Sequence, residues 1–436
     1  MSYGPPQGPP PGQYGGHAPP PGPPPGQGYG QGYNYGYPQG PPPQQGHGGY
    51  QQFGSPAPPP PQQHGGWAPP PGPPPGQYGG PPPPGQGNWG PPPPQGPPPG
   101  QYNQYGGSPP FAPPAQPSPG YIPGAAAQGD ASRDADALRA AMKGFGTDEA
   151  ALIRILSKPD PLQMALLRNT YNQRHRRDLE KDIKSETSKY FRDTLVALVQ
   201  GPLMHDVHSV HEAIKGLGTK ESVLNDVLLG RSNADLRAIK AAYQQTFRHT
   251  LEADVKGDLS LKTERLFDMV MSATRNEESA PVIPHELEHD CSELHRAMDG
   301  RVGTDQIAVC SILAKRSDGQ LRAIAHHWQQ KYHSSLEKVI ESEFSGHMRD
   351  ALVLMVRRAT DRAMSDAIQL EDAMAGVGTK DVLLVQRVVR VHWDRMHLDQ
   401  VKRAYAHRYK RDLIKRVKGE IHFDKYYEGV LVACLS

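Results

Sequence analysis

Charge is missing from the opening stretch of this 436-residue chain: residues 1–128 hold no Lys, Arg, Asp or Glu, and the first charged side chain is Asp130. Aliphatic residues are almost as scarce there. That excludes a self-standing core, because too little apolar surface is on offer to offset the entropy of ordering the chain. Cysteine is nearly absent as well. Cys291, Cys310 and Cys434 form an odd and sparse set, which excludes a disulfide framework and implies a reducing compartment. No apolar run approaches the roughly 18 residues of a membrane span, so none is expected. The N-terminus lacks both a basic region and an apolar centre, so no secretory leader is expected. There is no GxxxxGK[ST] phosphate loop. No β-branched strand run precedes the glycine-rich stretches, so a dinucleotide fold is not expected either.

What fills the uncharged stretch is proline. Of 49 prolines, 44 fall at or before Pro123, set among Gly, Gln and Tyr, and the phrase APPPGPPPGQ occurs at both 18–27 and 68–77. Such a composition favours short polyproline II pieces jointed by glycine. Glycine keeps no three-residue period, which excludes collagen. Residues 1–128 are therefore expected to be a disordered Pro/Gly/Gln/Tyr-rich tail. Eleven tyrosines with Trp67 and Trp89 are spaced as aromatic stickers. They leave three uses open: self-association, docking of Pro-rich segments on aromatic grooves, or a plain spacer.

The rest of the chain carries only five prolines and long periodic apolar patterns. Its formal net charge of +2 is near balance, and nothing in that number calls for a nucleic-acid partner. Its main feature is a repeat. MKGFGTDE at 142–149 returns as IKGLGTKE at 214–221 and MAGVGTKD at 374–381, with a looser MDGRVGTD at 298–305. The Gly-Thr pairs begin at Gly146, Gly218, Gly303 and Gly378. The steps of 72, 85 and 75 residues mark a repeat of solenoid-like character.

Each unit reads as five helices. In the first, Leu138, Ala141 and Met142 share a helical face before the glycines break it. Thr147 is expected to cap the next helix, with Asp148 and Glu149 in its first turn. That helix presents Leu152, Ile155 and Leu156. Pro159 and Pro161 end it and open the third helix, PLQMALLRNTYNQRH. A fourth covers DLEKDIKSE. A fifth, KYFRDTLVALVQ, points Phe191, Leu195, Leu198 and Val199 at a core. Trp328 and Trp393 are expected in the third helices of units three and four, as packing residues.

Glycines in a helix–helix loop allow carbonyl oxygens to turn the same way. Convergent carbonyls suit a hard cation such as Ca²⁺, which takes six to eight oxygens and wants a carboxylate among them. Forty residues on from the second glycine stand Glu186, Asp258 and Glu343, in the similar phrases KSETS, KGDLS and ESEFS. In the fourth unit Glu420 follows Gly378 by 42 residues, which fits two inserted residues around VHWDRM. The plain alternative makes the glycines helix terminators and the acids solvated surface. Matched spacing in four units argues against it.

With its [MI]-K-G-x-G-T loops, apolar helices and an acid near forty residues on, the chain from about 134 to 436 resembles an annexin. The long tail is similar to those of the long-tailed members and of fungal ones. The resemblance implies an all-α fold in which four repeats of five helices form a curved disc, with divisions at 134–203, 204–276, 277–362 and 363–436. It implies Ca²⁺-dependent binding to anionic phospholipid membranes, in membrane organisation or vesicle trafficking, by a protein that is cytoplasmic at rest and attaches peripherally when Ca²⁺ rises. It implies no catalysis.

The resemblance also implies ligands. The first site takes the carbonyls of Met142, Gly144 and Gly146 with Glu186, and the second Ile214, Gly216 and Gly218 with Asp258. The third takes Met298, Gly300 and Gly303 with Glu343, its longer loop bringing Val302 into play. The fourth takes Met374, Gly376 and Gly378 with Glu420. An Arg thirteen residues after the second glycine is matched by Arg231 and Arg316, whereas Pro159 and Val391 hold that place in units one and four, beside Lys158 and Arg390. These are expected to be helix-end and inter-repeat contacts. Lys143 and Lys215 could reach a lipid phosphate, and Ala375 in the fourth loop could not.

Two other readings compete. His285, Glu286 and His289 spell HELEH, the pattern of a zinc hydrolase, which would need a helix and a third ligand. A scaffold driven by tail self-association is the other. Cys310 and Cys434 read as small core residues, and Cys291 as an exposed one.

Overall fold

The computed structural model describes residues 112–216, 218–259, 261–299 and 303–436. The tail expectation for residues 1–111 falls outside them. The described residues lie within one compact unit, Gln101–Ser436.

Four groups of five helices follow one another. The first comprises α1 (Ser132–Ala141), α2 (Glu149–Leu156), α3 (Pro161–His175), α4 (Leu179–Glu186) and the opening half of α5 (Lys189–Ile214). Gly201 breaks α5 with φ 72°, and Pro202 follows it. The half beyond the break is the first helix of the second group, completed by α6 (Glu221–Leu228), α7 (Asn233–Phe247), α8 (Leu251–Val255) and α9 (Leu261–Met271). The third group is α10 (Pro284–Met298), α11 (Gln306–Lys315), α12 (Asp318–Tyr332), α13 (Leu336–Glu343) and α14 (Gly346–Thr360). The fourth is α15 (Arg362–Met374), α16 (Asp381–His392), α17 (Arg395–Tyr409), α18 (Leu413–Lys418) and α19 (Lys425–Leu435).

Local chemistry sets the boundaries. Asp160 and Gln163 form a capping box on α3, with Pro161 at its first position, and Ser317 and Gln320 form one on α12. Every third helix ends on a left-handed residue that is not glycine: Arg176, Arg248, His333 and Lys410, with φ of 50°, 66°, 55° and 54°. Such a residue carries strain on the order of 1 kcal/mol. It turns the chain straight into the next helix, whose N-cap follows two residues later. Asp178, Thr250, Ser335 and Asp412 fill that place, and each accepts a backbone N–H. No glycine or asparagine marks this shared corner in the sequence.

The apolar faces assemble into two cores. One draws on the first and fourth groups, from Ala135 to Val199 and from Ala367 to Leu435. The other joins the second and third, from Leu203 to Ala359. Buried ion pairs tie the two halves: Arg387 to Asp226 at 2.7 Å and Arg358 to Asp366 at 2.9 Å.

Several expectations are corrected. Residues 112–128, expected as part of the disordered tail, are laid on the helices. The hydroxyl and N–H of Ser118 both donate to Asp235 at 2.7 Å, and Ala127 N–H donates to Leu162 O at 2.9 Å. Tyr121 is buried, with its hydroxyl 2.5 Å from Asp206. One aromatic ring and a carboxylate pair were enough to anchor a stretch whose composition reads as linker. Cys291 is buried, not exposed, because it falls on the inner face of α10 despite its polar neighbours; Cys310 and Cys434 are buried as expected. Burial pushes the Cys291 thiol up to about 11. Trp328 is a buried residue of α12, but Trp393 lies between α16 and α17, outside the third helix of its group.

Candidate metal centres

Each glycine loop joins the first and second helices of its group, and one backbone bond closes all four. Asp148 N–H donates to Ala141 O at 2.9 Å, Lys220 to Ala213 at 2.8 Å, Asp305 to Ala297 at 2.8 Å and Lys380 to Ala373 at 2.9 Å. The closure forces the backbone between into a turn that glycine alone adopts freely. Gly144 and Gly146 have φ of 112° and 88°, Gly216 and Gly218 of 117° and 84°, Gly303 of 110°, Gly376 and Gly378 of 101° and 80°. A Cβ added at any of these seven would meet nothing within 4 Å. The loops are therefore open on the side the glycines leave bare. At the tips, Phe145 and Val377 stand fully exposed.

The acids come to the loops as the spacing requires. Each ends or follows the fourth helix, and a threonine fastens it. Thr147 Oγ1 donates to the Glu186 carbonyl at 3.2 Å and to its Oε2 at 3.3 Å. Thr219 donates to the Asp258 carbonyl at 3.0 Å, and Thr304 to Glu343 Oε2 at 3.0 Å. Thr379 donates to Glu420 Oε1 at 2.6 Å. The expected capping role of Thr147 is thus corrected: Asp148 caps α2, accepting from Ala151 N–H, and the threonine ties loop to acid. The extra two residues of the fourth group lie before α17, where α16 runs for 12 residues against 8 in α2 and α6.

Glu186, Asp258 and Glu343 are exposed, and among the described residues none meets a cationic side chain. Gly300 and Val302 lie outside the described residues. No group of three His, Cys, Asp or Glu side chains that could hold a metal occurs among the described residues. A cation held at these loops would have carbonyl oxygens and one carboxylate within reach, an all-oxygen set of the kind a hard ion such as Ca²⁺ takes.

The remaining singled-out residues do other work. Arg231 bonds Asp206 at 2.5 Å, the Tyr121 hydroxyl at 2.7 Å and the Val227 carbonyl at 2.8 Å. Arg316 grips Asp290 at 2.6 and 2.9 Å. Both lock the link after the second helix onto the first helix of their own group, away from the loops. HELEH does lie on a helix, at the start of α10. His285 and His289 are exposed, while Glu286 pairs with Arg316 at 3.0 Å, and among the described residues no third ligand joins them. Among the described residues no helix is long and apolar enough to cross a membrane.

Comparison with known proteins agrees with this geometry. The annexin family model matches residues 133–198, 205–269 and 289–355. Annexin C1 of Cryptococcus neoformans var. grubii is 42% identical over 330 residues, covering 74% of this chain and 68% of that protein. Human annexin A13 is 37% identical over 307 residues, covering 70% of this chain and 95% of that one. A solved structure described as calcium-bound annexin (Sm)1 superposes with a TM-score of 0.62 at 28% identity, covering 73% of this chain and 92% of the other. Four five-helix groups, four closed glycine loops and these likenesses place the chain in the annexin family.

Proposed function

We propose that the protein attaches to anionic phospholipid membranes in a Ca²⁺-dependent manner through its glycine loops. Annexin membership carries the general calcium and phospholipid-binding role. The finer reading rests on one observation, the threonine that fastens an acid 39 residues away in sequence to an open glycine loop. The carbonyls of Met142, Gly144 and Gly146 with Glu186 form the first ligand set. Ile214, Gly216 and Gly218 with Asp258 form the second, and Met298, Gly300 or Val302, and Gly303 with Glu343 the third. Met374, Gly376, Gly378 and Glu420 hold the corresponding places at the fourth loop, where the acid already accepts from Arg416 at 2.6 Å. The repeats they serve divide at 134–203, 204–276, 277–362 and 363–436.

Three carbonyls and one carboxylate leave a shell of six to eight oxygens incomplete. Bound there, Ca²⁺ would accept phosphate oxygens of an anionic headgroup into the same shell. Lys143 and Lys215, both exposed at the loops, supply positive charge to the same headgroups. Phe145 at its loop tip offers an aromatic ring to the acyl boundary. Several weak loops on one rigid body then act together through effective concentration. The protein is accordingly cytoplasmic at low Ca²⁺ and peripheral on membranes at high Ca²⁺. The tail, with its tyrosines, adds self-association or protein partners on top of this attachment.

Co-sedimentation with phosphatidylserine vesicles tests the proposal. Binding should appear with Ca²⁺, reverse with EDTA, and fail on purely phosphatidylcholine vesicles at the same Ca²⁺ level. Equal sedimentation with and without the ion would sink it.

A further inference from the structure

The fourth loop differs from the others in what faces its acid. Arg416, on α18, donates Nη1 to Glu420 Oε2 at 2.6 Å and Nη2 to the Met374 carbonyl at 2.5 Å. Thr379 holds the other carboxylate oxygen. The guanidinium thus bridges two of the four proposed ligands of that loop, and neither Glu420 oxygen is left without a donor. The pair is well shielded, with 13% of the Arg416 side chain and 16% of the Glu420 side chain exposed. At the other three loops the acids are exposed and meet no cationic side chain among the described residues.

The origin of the difference is a charge exchange inside the unit. Arg416 stands four residues before its acid. The same place is Asp182 in the first unit, Asp254 in the second and Val339 in the third. Asp182 accepts from Tyr171 at 2.6 Å and Asp254 from Tyr243 at 2.7 Å. On the first helix of each unit, seven residues before the second glycine, the first unit has Arg139 and the fourth has Glu371. Asp182 also pairs with Arg177 at 2.6 and 2.8 Å, and the Arg139 charge helps hold its carboxyl low. In the fourth unit Tyr405 donates instead to Glu371, and Arg416 Nε lies 3.5 Å from the same carboxylate. The cation and the anion have changed helices. The internal pairing survives, but the positive group now stands beside the loop.

We infer that the fourth loop is closed by its own cation, the Arg416 guanidinium, and that attachment is governed by the other three loops alone. This rests on the cation reading of those three. A guanidinium is permanently charged and fits a carboxylate and a carbonyl in a planar fork. For a divalent ion to reach Met374 O and Glu420, it would have to displace a shielded, paired charge and leave it nearby, where like charges repel. The loop thus keeps its closed geometry at every Ca²⁺ level.

Radioactive Ca²⁺ counted per full-length chain on phosphatidylserine vesicles provides the test. Glu186→Gln should lose one bound ion. Glu420→Gln should bind as many ions as the parent, and its half-maximal Ca²⁺ should stay within about 1.5-fold of the parent value, because a loop that takes no ion adds nothing to the shared attachment. Arg416→Gln should gain one ion, and the gain should vanish in the Arg416→Gln, Glu420→Gln double variant. If Glu420→Gln loses an ion while Glu186→Gln behaves as stated, the inference is overturned and the cation reading stands. If neither variant changes the count, the cation reading fails and takes the inference with it. Should Arg416→Gln fail to fold, the Glu420→Gln count still decides, since that variant keeps the arginine.

Discussion

Arg387 on α16 donates its Nε to Asp226 on α6 at 2.7 Å, joining side chains 161 residues apart in sequence and both buried. The pair sits where the two cores meet. Gln369 also donates to Asp226, and Arg387 reaches the Gln369 carbonyl. Removing one partner strands the other charge away from water. Arg387→Ala should therefore lower unfolding stability by about 3–5 kcal/mol, and Arg387→Met with Asp226→Leu should recover most of it. Urea unfolding midpoints of the three proteins check both statements.

Glu186, Asp258 and Glu343 are exposed and make no ion pair among the described residues, so neutralising them should leave the fold alone. Glu186→Gln is expected to raise the Ca²⁺ needed for half-maximal vesicle binding by roughly threefold, because the remaining loops still act together. The triple change with Asp258→Asn and Glu343→Gln should all but abolish attachment. Circular dichroism before and after confirms that helix content is unchanged.

Phe145 extends fully into solvent at the tip of the first loop. Burying such a ring at a membrane boundary is worth on the order of 2 kcal/mol. Phe145→Ser should then require more lipid at saturating Ca²⁺ without altering the number of ions bound. Lipid titration at fixed Ca²⁺ separates that effect from ligand loss.

Acid should destabilise the protein in a defined window. Burial holds the imidazoles of His205 and His392 down at about 4, against about 6.5 in an unfolded chain. Between those values the unfolded state binds protons that the folded state refuses. Stability is therefore complete above pH ~6.5 and is lost as pH falls toward 4, by on the order of 3 kcal/mol per histidine. Thermal melts from pH 7.5 to 4.5 should show a shallower decline in the His205→Gln, His392→Gln variant than in the parent.

Two truncations should differ. Removal of residues 1–111 is expected to leave vesicle binding and melting temperature unchanged. Removal through residue 128 also takes away Tyr121, which donates to Asp206 and accepts from Arg231. Losing that buried ring and its bonds should lower the melting temperature by several degrees.

Much of this was legible from spacing. The glycine loops, the acids and the location of the two-residue insertion follow from counting, because a helix of fixed rise turns sequence distance into spatial distance. The role of Thr147 was not, since a threonine before a helix reads equally as a cap, and only the fold brings Glu186 within reach. Arg416 was illegible for the same reason. In the phrase LIKRVKGE it is one of several basic residues on a short helix, and nothing local connects it to Met374, which lies 42 residues away. Cys291 was misplaced because its neighbours in sequence are polar, whereas its helical face is apolar. The anchoring of residues 112–128 depends on Asp206 and Asp235, which only the folded chain presents together.

The pairing of the first group with the fourth has a consequence for biosynthesis. Ile153 of α2 meets Gly429 of α19, Arg395 bonds the Ser157 carbonyl at 2.9 Å, and Phe191 lies 5.8 Å from Tyr426. The part of the helical body that leaves the ribosome first shares its core with the part that leaves last. The middle pair can consolidate while translation continues, whereas the first-made helices must wait with their apolar faces open until the final one is released. The chain thus closes like a clasp, and a nascent polypeptide stalled short of α19 is the form most in need of a chaperone.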